Sequence, residues 1–171
     1  ISNDSQVNLA NVATAQLDLN GVNETIGSLT GGGTNNPIVE LSGATLTTGA
    51  DDSTTTYTGV IRSSTTSTGK LTKEGFGTMT LAGTTANTYT GETTVLGGGL
   101  ILNKSANINA IGGNLTIGGT TGTQRVTVNA SNQIVDTSVV TVNASGILNL
   151  AGGISETIGN LSGSGLVINN N

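Results

Sequence analysis

The chain has 171 residues and a mass of 16.8 kDa, and four small residue types dominate its composition. Gly, Thr, Asn and Ser supply 93 of the 171 residues, whereas aromatic side chains make up 2% and charged side chains 9%. Each of these four types is less favourable than Ala in a helix interior. The composition therefore excludes an all-α fold.

Charge and reactive side chains exclude further classes of protein. The formal net charge is −5 with only five Lys and Arg residues, so we expect no nucleic-acid partner. The absence of Cys and His removes thiol nucleophiles, His-based triads and zinc sites. No apolar run approaches the roughly 18 residues of a membrane helix, so no membrane insertion by this segment is expected. The 42 Val, Ile and Leu residues argue against disorder.

Short segments that alternate apolar and polar residues follow one another along the chain, with Gly, Asn or Ser between them, and each is predicted to form a strand. No intervening segment has the helical period that crossover helices would show. The strands are therefore either antiparallel, as in a sandwich or barrel, or stacked coil upon coil in a solenoid. In chain order these segments are residues 16–19, 44–47, 79–81, 100–102, 115–117, 125–128, 139–142 and 147–150.

Internal repetition favours the solenoid. The sequence ETIGSLTG at residues 24–31 returns as ETIGNLSG at residues 156–163, an offset of 132 residues. Self-similarity of this kind is typical of repeat architectures. At about 22 residues per coil, the chain would form roughly eight coils and place roughly five or six apolar side chains inside each. We therefore predict an all-β fold, a parallel β-solenoid of roughly eight coils with a continuous apolar core.

Residues 69–103 carry a more specific pattern, which reads GKLTKEGFGTMTLAGTTANTYTGETTVLGGGLILN. It resembles the passenger-associated β-strand repeat of autotransporters, which are bacterial surface proteins. Met79 stands where the repeat usually has Leu, and two extra residues lie within 84–86. The positions that match the repeat are Gly69, Leu71, Lys73, Gly75, Gly77, Thr78, Leu81, Gly83, Asn87, Thr88, Tyr89, Gly91, Thr93, Val95, Gly98 and Leu100.

The resemblance extends to residues 17–34 and 148–165, which are similar to segments that flank this repeat in the same family. It implies a right-handed, single-stranded parallel β-helix that is displayed outside a bacterial cell. Residues 1–171 are then a single β-helix segment and part of a longer array or fibre. The signal peptide and the translocator barrel of complete autotransporters are not found in these residues, so we expect a fragment, a processed product or one unit of an array.

Asp51 and Asp52 form the only acidic doublet, and Glu40 is a further carboxylate that could lie near them. Paired carboxylates can bind Ca²⁺ or serve in glycoside cleavage. No carboxylate beyond the doublet stands at the spacing in the sequence that Ca²⁺ binding or glycoside cleavage would require. We expect a solvated polar loop, with a structural Ca²⁺ ion as the alternative, and no other cofactor or metal.

The start of the repeat carries the other cluster of charges, formed by Lys70, Lys73 and Glu74 with Arg62 upstream. A polysaccharide lyase needs a Lys or Arg base, and this is where one could be assembled. No partner acid stands at the required spacing. We expect these side chains to lie on an exposed strand face, where charges discourage edge pairing.

The aromatic residues of the repeat, Phe76 and Tyr89, are expected to have structural roles. Asn87, Thr88 and Tyr89 are expected to form a turn in which Asn87 bonds the local backbone and the Tyr89 ring covers the end of the core. Phe76 is expected in the core or as a cap on it. Neither ring is taken as evidence for a ligand.

These residues together favour a structural role. We expect a module of an extracellular β-helix that serves as a stalk, fibre or adhesin passenger, without catalytic residues. Unpaired strand edges at its ends predict head-to-tail self-association into filaments. Two alternatives stay open, a carbohydrate-binding or host-binding adhesin and a polysaccharide lyase or hydrolase on the same fold.

Overall fold

A computed structural model describes residues 1–64, 67–119 and 122–170. Regular structure in these ranges consists of eighteen β-strands without any helix. All of the strand pairs are parallel, and successive coils of the chain stack on one another. The prediction of an all-β parallel β-solenoid is confirmed. Since these ranges hold no helix, they also hold none with the length and apolar character to cross a membrane.

The strands form three sheets along the sides of the solenoid. The first sheet contains, in spatial order, β1 (Gln6–Leu9), β4 (Ser28–Gly31), β7 (Thr55–Tyr57), β10 (Thr78–Gly83), β12 (Gly99–Lys104), β14 (Gln124–Val128), β16 (Gly146–Leu150) and β18 (Leu166–Asn169). The second sheet contains β3 (Glu24–Ile26), β6 (Thr45–Thr48), β9 (Lys70–Lys73), β11 (Thr93–Val95), β13 (Leu115–Ile117), β15 (Val139–Val142) and β17 (Asn160–Gly163). The third sheet contains β2 (Gln16–Asp18), β5 (Ile38–Glu40) and β8 (Val60–Arg62).

The length of one coil can be read from the strand register of the first sheet. Gln6 lies opposite Ser28, a step of 22 residues. The longest steps in this sheet, from Gly31 to Tyr57 and from Gly99 to Arg125, take 26 residues, and the shortest, from Ile147 to Leu166, takes 19. Seven turns of this size connect the eight strands of the sheet. This agrees with the predicted coil length and is close to the roughly eight coils predicted from the sequence.

The core consists of side chains that stack in columns along the solenoid axis. Alternate residues of a strand point inward, so β9 buries Leu71 and exposes Lys70. Because the strands are parallel and in register, Leu71 packs between Leu46 of the preceding coil and Thr93 of the following one. In the first sheet Met79, Leu100, Val126 and Leu148 form a similar column. The apolar columns extend over nearly the whole described length.

The third side of the solenoid changes character after β8. Beyond this strand the described residues supply no further strand there, only an isolated bridge between Ile111 and Ile134. Backbone groups that lack a strand partner must be satisfied in another way when they are buried. Polar side chains such as Asn87 and Glu156 do so here.

The two similar segments of the sequence do not occupy equivalent positions in the coil. Residues 28–31 form β4 in the first sheet, whereas their counterparts 160–163 form β17 in the second sheet. The local backbone is nevertheless preserved, since Gly31 and Gly163 both end their strands at positive φ, +99° and +109°. The segment therefore encodes a strand with a glycine corner, and the offset of 132 residues does not correspond to a whole number of coils.

The corner glycines predict a measurable difference between two alanine variants. Gly83 and Gly153 both have positive φ, +100° and +77°, which costs an L-residue about 1–2 kcal/mol. A Cβ at Gly83 would also collide with the carbonyl oxygen of Thr58 in the preceding coil, whereas a Cβ at Gly153 meets nothing within 4 Å. We expect Gly83→Ala to lower the free energy of unfolding by at least about 2 kcal/mol more than Gly153→Ala. Equal losses in urea unfolding would contradict the close approach of the coils.

Candidate functional site

The acidic doublet lies at the corner between the second and first sheets and links three coils. The Asp51 carboxylate accepts hydrogen bonds from the Ser28 hydroxyl (2.6 Å) and the Ser53 backbone N–H (2.9 Å). Partial burial opposes ionisation of Asp51, but these hydrogen bonds outweigh it and lower the pKa of the carboxyl. Asp52 accepts a hydrogen bond from the backbone N–H of Phe76 in the following coil (2.7 Å). Both carboxylates therefore stabilise the corner through hydrogen bonds.

Glu40 does not join this doublet. It lies on β5 in the third sheet, where its carboxylate pairs with Arg62 Nε at 2.8 Å. Within the described ranges, no three His, Cys, Asp or Glu side chains are grouped so that they could hold a metal ion. Ca²⁺ binding at Asp51 and Asp52 stays a prediction, and its basis is this pair of carboxylates.

The expectation that Lys73 decorates an exposed face was wrong. Lys73 is 1% exposed and occupies an inward column between Thr48 and Val95. Its ammonium donates hydrogen bonds to the carbonyl oxygens of Glu74 and Gly75. Burial lowers the pKa of Lys73, while the nearby charges of Asp52, Glu74 and Asp51 act in the opposite direction. Lys70 is exposed as expected.

The candidate lyase cluster is not assembled. Arg62 lies on β8 in the third sheet, whereas Lys70 and Lys73 lie on β9 in the second. Arg62 is engaged by Glu40, and Lys73 is buried among backbone carbonyl groups. These charged groups do not converge on a shared groove.

Asn87 bridges coils and does not bond the local backbone as predicted. Its side-chain oxygen accepts a hydrogen bond from the Ile61 N–H of the preceding coil (2.9 Å), and its side-chain nitrogen donates to the Ala110 carbonyl of the following coil (2.8 Å). The residue is buried. Asn87 thus replaces part of the strand ladder on the third side, where β8 has no strand successor among the described residues.

Tyr89 lies inside the core and not over its end. Its ring is fully buried, and its hydroxyl shares a hydrogen bond of 2.6 Å with the Thr93 hydroxyl. This contact satisfies the hydroxyl of Thr93, which lies between the apolar side chains of Leu71 and Leu115 in its column. Burial raises the pKa of Tyr89. The repeat therefore supplies both the buried polar side chain, Thr93, and its hydrogen-bond partner, Tyr89.

The glycines of the repeat allow close approach between coils. At each of the six glycines that match the repeat pattern, an added Cβ would collide with a residue distant in sequence. The six are Gly69, Gly75, Gly77, Gly83, Gly91 and Gly98.

Lys104 is a buried cation that the sequence interpretation did not single out. It is 1% exposed and donates to the carbonyl oxygens of Gly59 (3.1 Å) and Ala82 (2.9 Å). Desolvation lowers its pKa to about 8. The signal was present in the sequence, because Lys104 has the same parity as the inward residues Leu100 and Leu102 on β12.

Two other polar side chains satisfy backbone groups on the third side. The Glu156 carboxylate accepts hydrogen bonds from the N–H groups of Gln133 (2.8 Å) and Ile134 (2.9 Å). Gln133 in turn accepts a hydrogen bond from the Lys104 N–H at 2.7 Å. Burial raises the pKa of Glu156, and the two backbone hydrogen bonds act against this rise. Hydrogen bonds from side chains thus connect the coils on the third side beyond the end of the third sheet.

Phe76 is neither in the core nor a cap, so this prediction was also wrong. The ring is 81% exposed and projects from the corner between β9 and β10. Its backbone is held by the hydrogen bond to Asp52. A large aromatic side chain in this position needs a different explanation from packing.

The corner beside Phe76 contains two adjoining hollows. The first has a volume of about 360 Å³ and a floor that includes Gly97 and Gly98. The second, of about 560 Å³, is bounded by Asn143 and Ser145. Leu96 lines both hollows. The first is also lined by Gly75, Phe76, Gly122, Thr123 and Gln124, and the second by Gly118, Gly119 and Ala144.

The bridging role of Asn87 predicts a large loss of stability in Asn87→Ala. The variant would leave a buried N–H and a buried C=O without partners, at a cost of about 2–4 kcal/mol in the free energy of unfolding. Asn103→Ala is the matched control, because Asn103 is exposed on β12 and we expect a change within about 0.5 kcal/mol. Urea unfolding measures both. Similar small losses would contradict a bridge between the three coils.

Lys104 predicts that stability rises with pH above neutrality. Its pKa is about 8 in the folded chain and 10.5 in the reference state, so the unfolded chain binds more protons between these values. The free energy of unfolding should increase by about 2 kcal/mol from pH 7 to pH 9.5 through this group. Lys104→Met should remove that part of the slope, whereas Lys70→Met, at an exposed position, should not. An unchanged slope in Lys104→Met would contradict the buried charge.

Comparison with known proteins supports the resemblance predicted from the repeat. The chain is 44% identical over 93 residues to the protein named Adhesin BmaC autotransporter from Brucella suis biovar 1 (strain 1330). The match covers 54% of this chain and 3% of that protein. No family model and no solved structure matches the chain. The similarity and the β-solenoid together confirm the interpretation as an autotransporter-type passenger β-helix.

Proposed function

We propose that this chain is a segment of a bacterial surface adhesin, in which the β-solenoid holds adhesive surfaces away from the cell. The observation that carries the proposal is the uninterrupted first sheet of eight parallel strands, together with the similarity to an adhesin autotransporter. A stack of hydrogen-bonded coils forms a rod with a continuous core. Such a rod presents its lateral faces to the surroundings, outside the cell.

A polysaccharide lyase or hydrolase is disfavoured by the positions of the charged groups. Asp51 and Asp52 are hydrogen-bonded to Ser28, Ser53 and Phe76. The cations that a lyase could use lie in two different sheets. The protein compared with this chain is named as an adhesin. We therefore assign no catalytic residue.

Surface display tests the proposed function. With the chain fused ahead of an autotransporter translocator barrel, we expect it to be accessible to antibody on intact bacteria and to increase their adherence to host-cell monolayers. Asn87→Ala is the matched control for folding, because it weakens the stack without changing the exposed faces. Adherence no greater than with the barrel alone, in cells that display the folded chain, would contradict the proposal.

We also infer that the solenoid associates end to end with a second copy. The strands β17 and β18 each pair on one side only within the described residues. The inward side chains Leu161 and Val167 are 48% and 42% exposed beside them. At the opposite end, β1 also pairs on one side only, and its inward residue Val7 is partly exposed. Strand addition between these edges would continue the ladder and cover the apolar end.

Sedimentation velocity over a range of concentrations tests this association. We expect the wild-type chain to form larger species as its concentration rises, and the double variant Leu161→Lys with Val167→Lys to stay monomeric. Val139→Lys is the control, because Val139 is exposed on a lateral face of β15. A wild-type chain that is monomeric at all concentrations would contradict end-to-end association while leaving the adhesin proposal intact.

A further inference from the structure

The outward face of the second sheet carries an unbroken column of hydroxyl side chains. Each of the seven strands places a Thr or Ser at the same register position, directly opposite the next member. Each member is at least partly exposed, whereas the neighbouring residues Leu46 and Leu71 point into the core. We call this set the threonine column, and its members are Thr25, Thr47, Thr72, Thr94, Thr116, Thr141 and Ser162.

The threonine column is evenly spaced and stiff. Its members repeat at about 4.8 Å, because this is the distance between neighbouring strands. Thr is branched at Cβ, so it has few side-chain conformations to lose on binding. An array of this period matches, member by member, a partner that has the same period. A second copy of this chain has that period, and sheets with identical side chains can pack closely on each other.

A second outward column runs beside the threonine column and carries one charge of each sign. Lys70 and Glu92 directly precede the paired residues Leu71 and Thr93, so they lie next to each other on neighbouring coils. Lys70 is exposed, and among the described residues no carboxylate forms an ion pair with its ammonium. The other members of this column are uncharged, namely Asn23, Thr45, Asn114, Val139 and Asn160.

One arrangement of two copies brings these charges together. The two faces pack against each other with the solenoid axes antiparallel, and a twofold axis passes between β9 and β11. Lys70 of each copy then lies opposite Glu92 of the other, and Thr72 of each copy lies opposite Thr94 of the other. Parallel solenoid axes would instead place Lys70 against Lys70 and Glu92 against Glu92. The antiparallel contact is isologous and therefore pairs both charges at once.

The same twofold axis gives the exposed ring of Phe76 a contact. Phe76 follows β9 and Leu96 follows β11, and their side chains are 81% and 43% exposed. Both lie at the edge of the face, on the two coils between which the axis passes. The corner of Phe76 in each copy therefore lies against the corner of Leu96 in the other, where apolar surface is removed from water. Glu74 lies at the same edge, and the nearby ammonium of Lys73 compensates its charge.

We propose that the second sheet is a lateral contact surface for a second copy of this chain, which packs antiparallel through the threonine columns and the contacts of Lys70 with Glu92. The overlap covers six strands of each copy, a patch of about 29 by 13 Å, or roughly 750 Å² over both copies. Stable interfaces bury about 1,200–2,000 Å², so free chains in dilute solution associate only weakly through this face. Many copies on one surface strengthen the contact through multivalency. The inference goes beyond the proposed adhesin function and does not depend on it.

Clumping of beads coated with the purified chain tests this contact. A tag at the C-terminal end attaches the chain to the bead and keeps that end away from other copies. We expect wild-type beads to clump. Beads that carry Lys70→Glu alone or Glu92→Lys alone should clump at least about fivefold less, because like charges then face each other.

A mixture of the two kinds of variant bead should clump as the wild type does. The acidic pair of one variant then faces the basic pair of the other, so both contacts are restored. Arg125→Glu is the matched control, because Arg125 is exposed on β14 in the first sheet and the change in charge is the same as in Lys70→Glu. Beads with Arg125→Glu should clump like wild-type beads.

Four results would overturn the inference. Three of them are wild-type beads that stay dispersed, single variants that clump as well as the wild type, and a mixture that stays as dispersed as its components. The fourth is clumping that requires added dextran, which would assign the face to a neutral polysaccharide. Circular dichroism spectra that match the wild type exclude misfolding as the cause of a loss.

Discussion

The structure depends on one constraint, the parallel in-register stacking of each coil on the one before it. Backbone hydrogen bonds between coils fix the spacing at about 4.8 Å, so each side chain has the same position of a neighbouring coil above and below it. Inward positions must therefore fill apolar columns, as Leu46 and Leu71 do. At the corners, coils approach so closely that Gly75 or Gly83 cannot be replaced by a larger residue without a collision.

Where the strand ladder is interrupted, buried polar side chains take over its function. Asn87 bonds the backbone of the coils on both sides, and Glu156 accepts the N–H groups of Gln133 and Ile134. Burying such groups is favourable only when they are fully bonded. On the third side of the solenoid, individual side-chain hydrogen bonds thus replace the repeated pairing of strands. The stability of this side therefore depends on a few residues. The outer faces carry no such constraint, so a large side chain such as Phe76 can stay exposed at a corner.

The sequence predicts the fold better than it predicts the site, for physical reasons that particular residues show. Alternation, glycine spacing and the repeat were enough to predict a parallel solenoid of about the observed coil length. The prediction for Lys73 is wrong because its charge suggests exposure, whereas its parity with Leu71 places it inside, where its ammonium donates to carbonyl oxygens. The prediction for Phe76 is wrong because a corner has no alternation of inward and outward residues, so that hydrophobicity alone suggests burial there. Asn87 bonds residues more than twenty positions away, which only the stacked coils reveal.

Spin-label distances test the stacking of coils most directly. The chain has no Cys, so pairs of introduced cysteines can be labelled without background. Asn8, Thr127, Asn149 and Ile168 lie on β1, β14, β16 and β18, so the last three are five, six and seven strands from Asn8 along the first sheet. Electron paramagnetic resonance should give distances from position 8 of about 24, 29 and 34 Å, a constant increase of one strand spacing per coil. Distances that fail to increase in this order would contradict the solenoid.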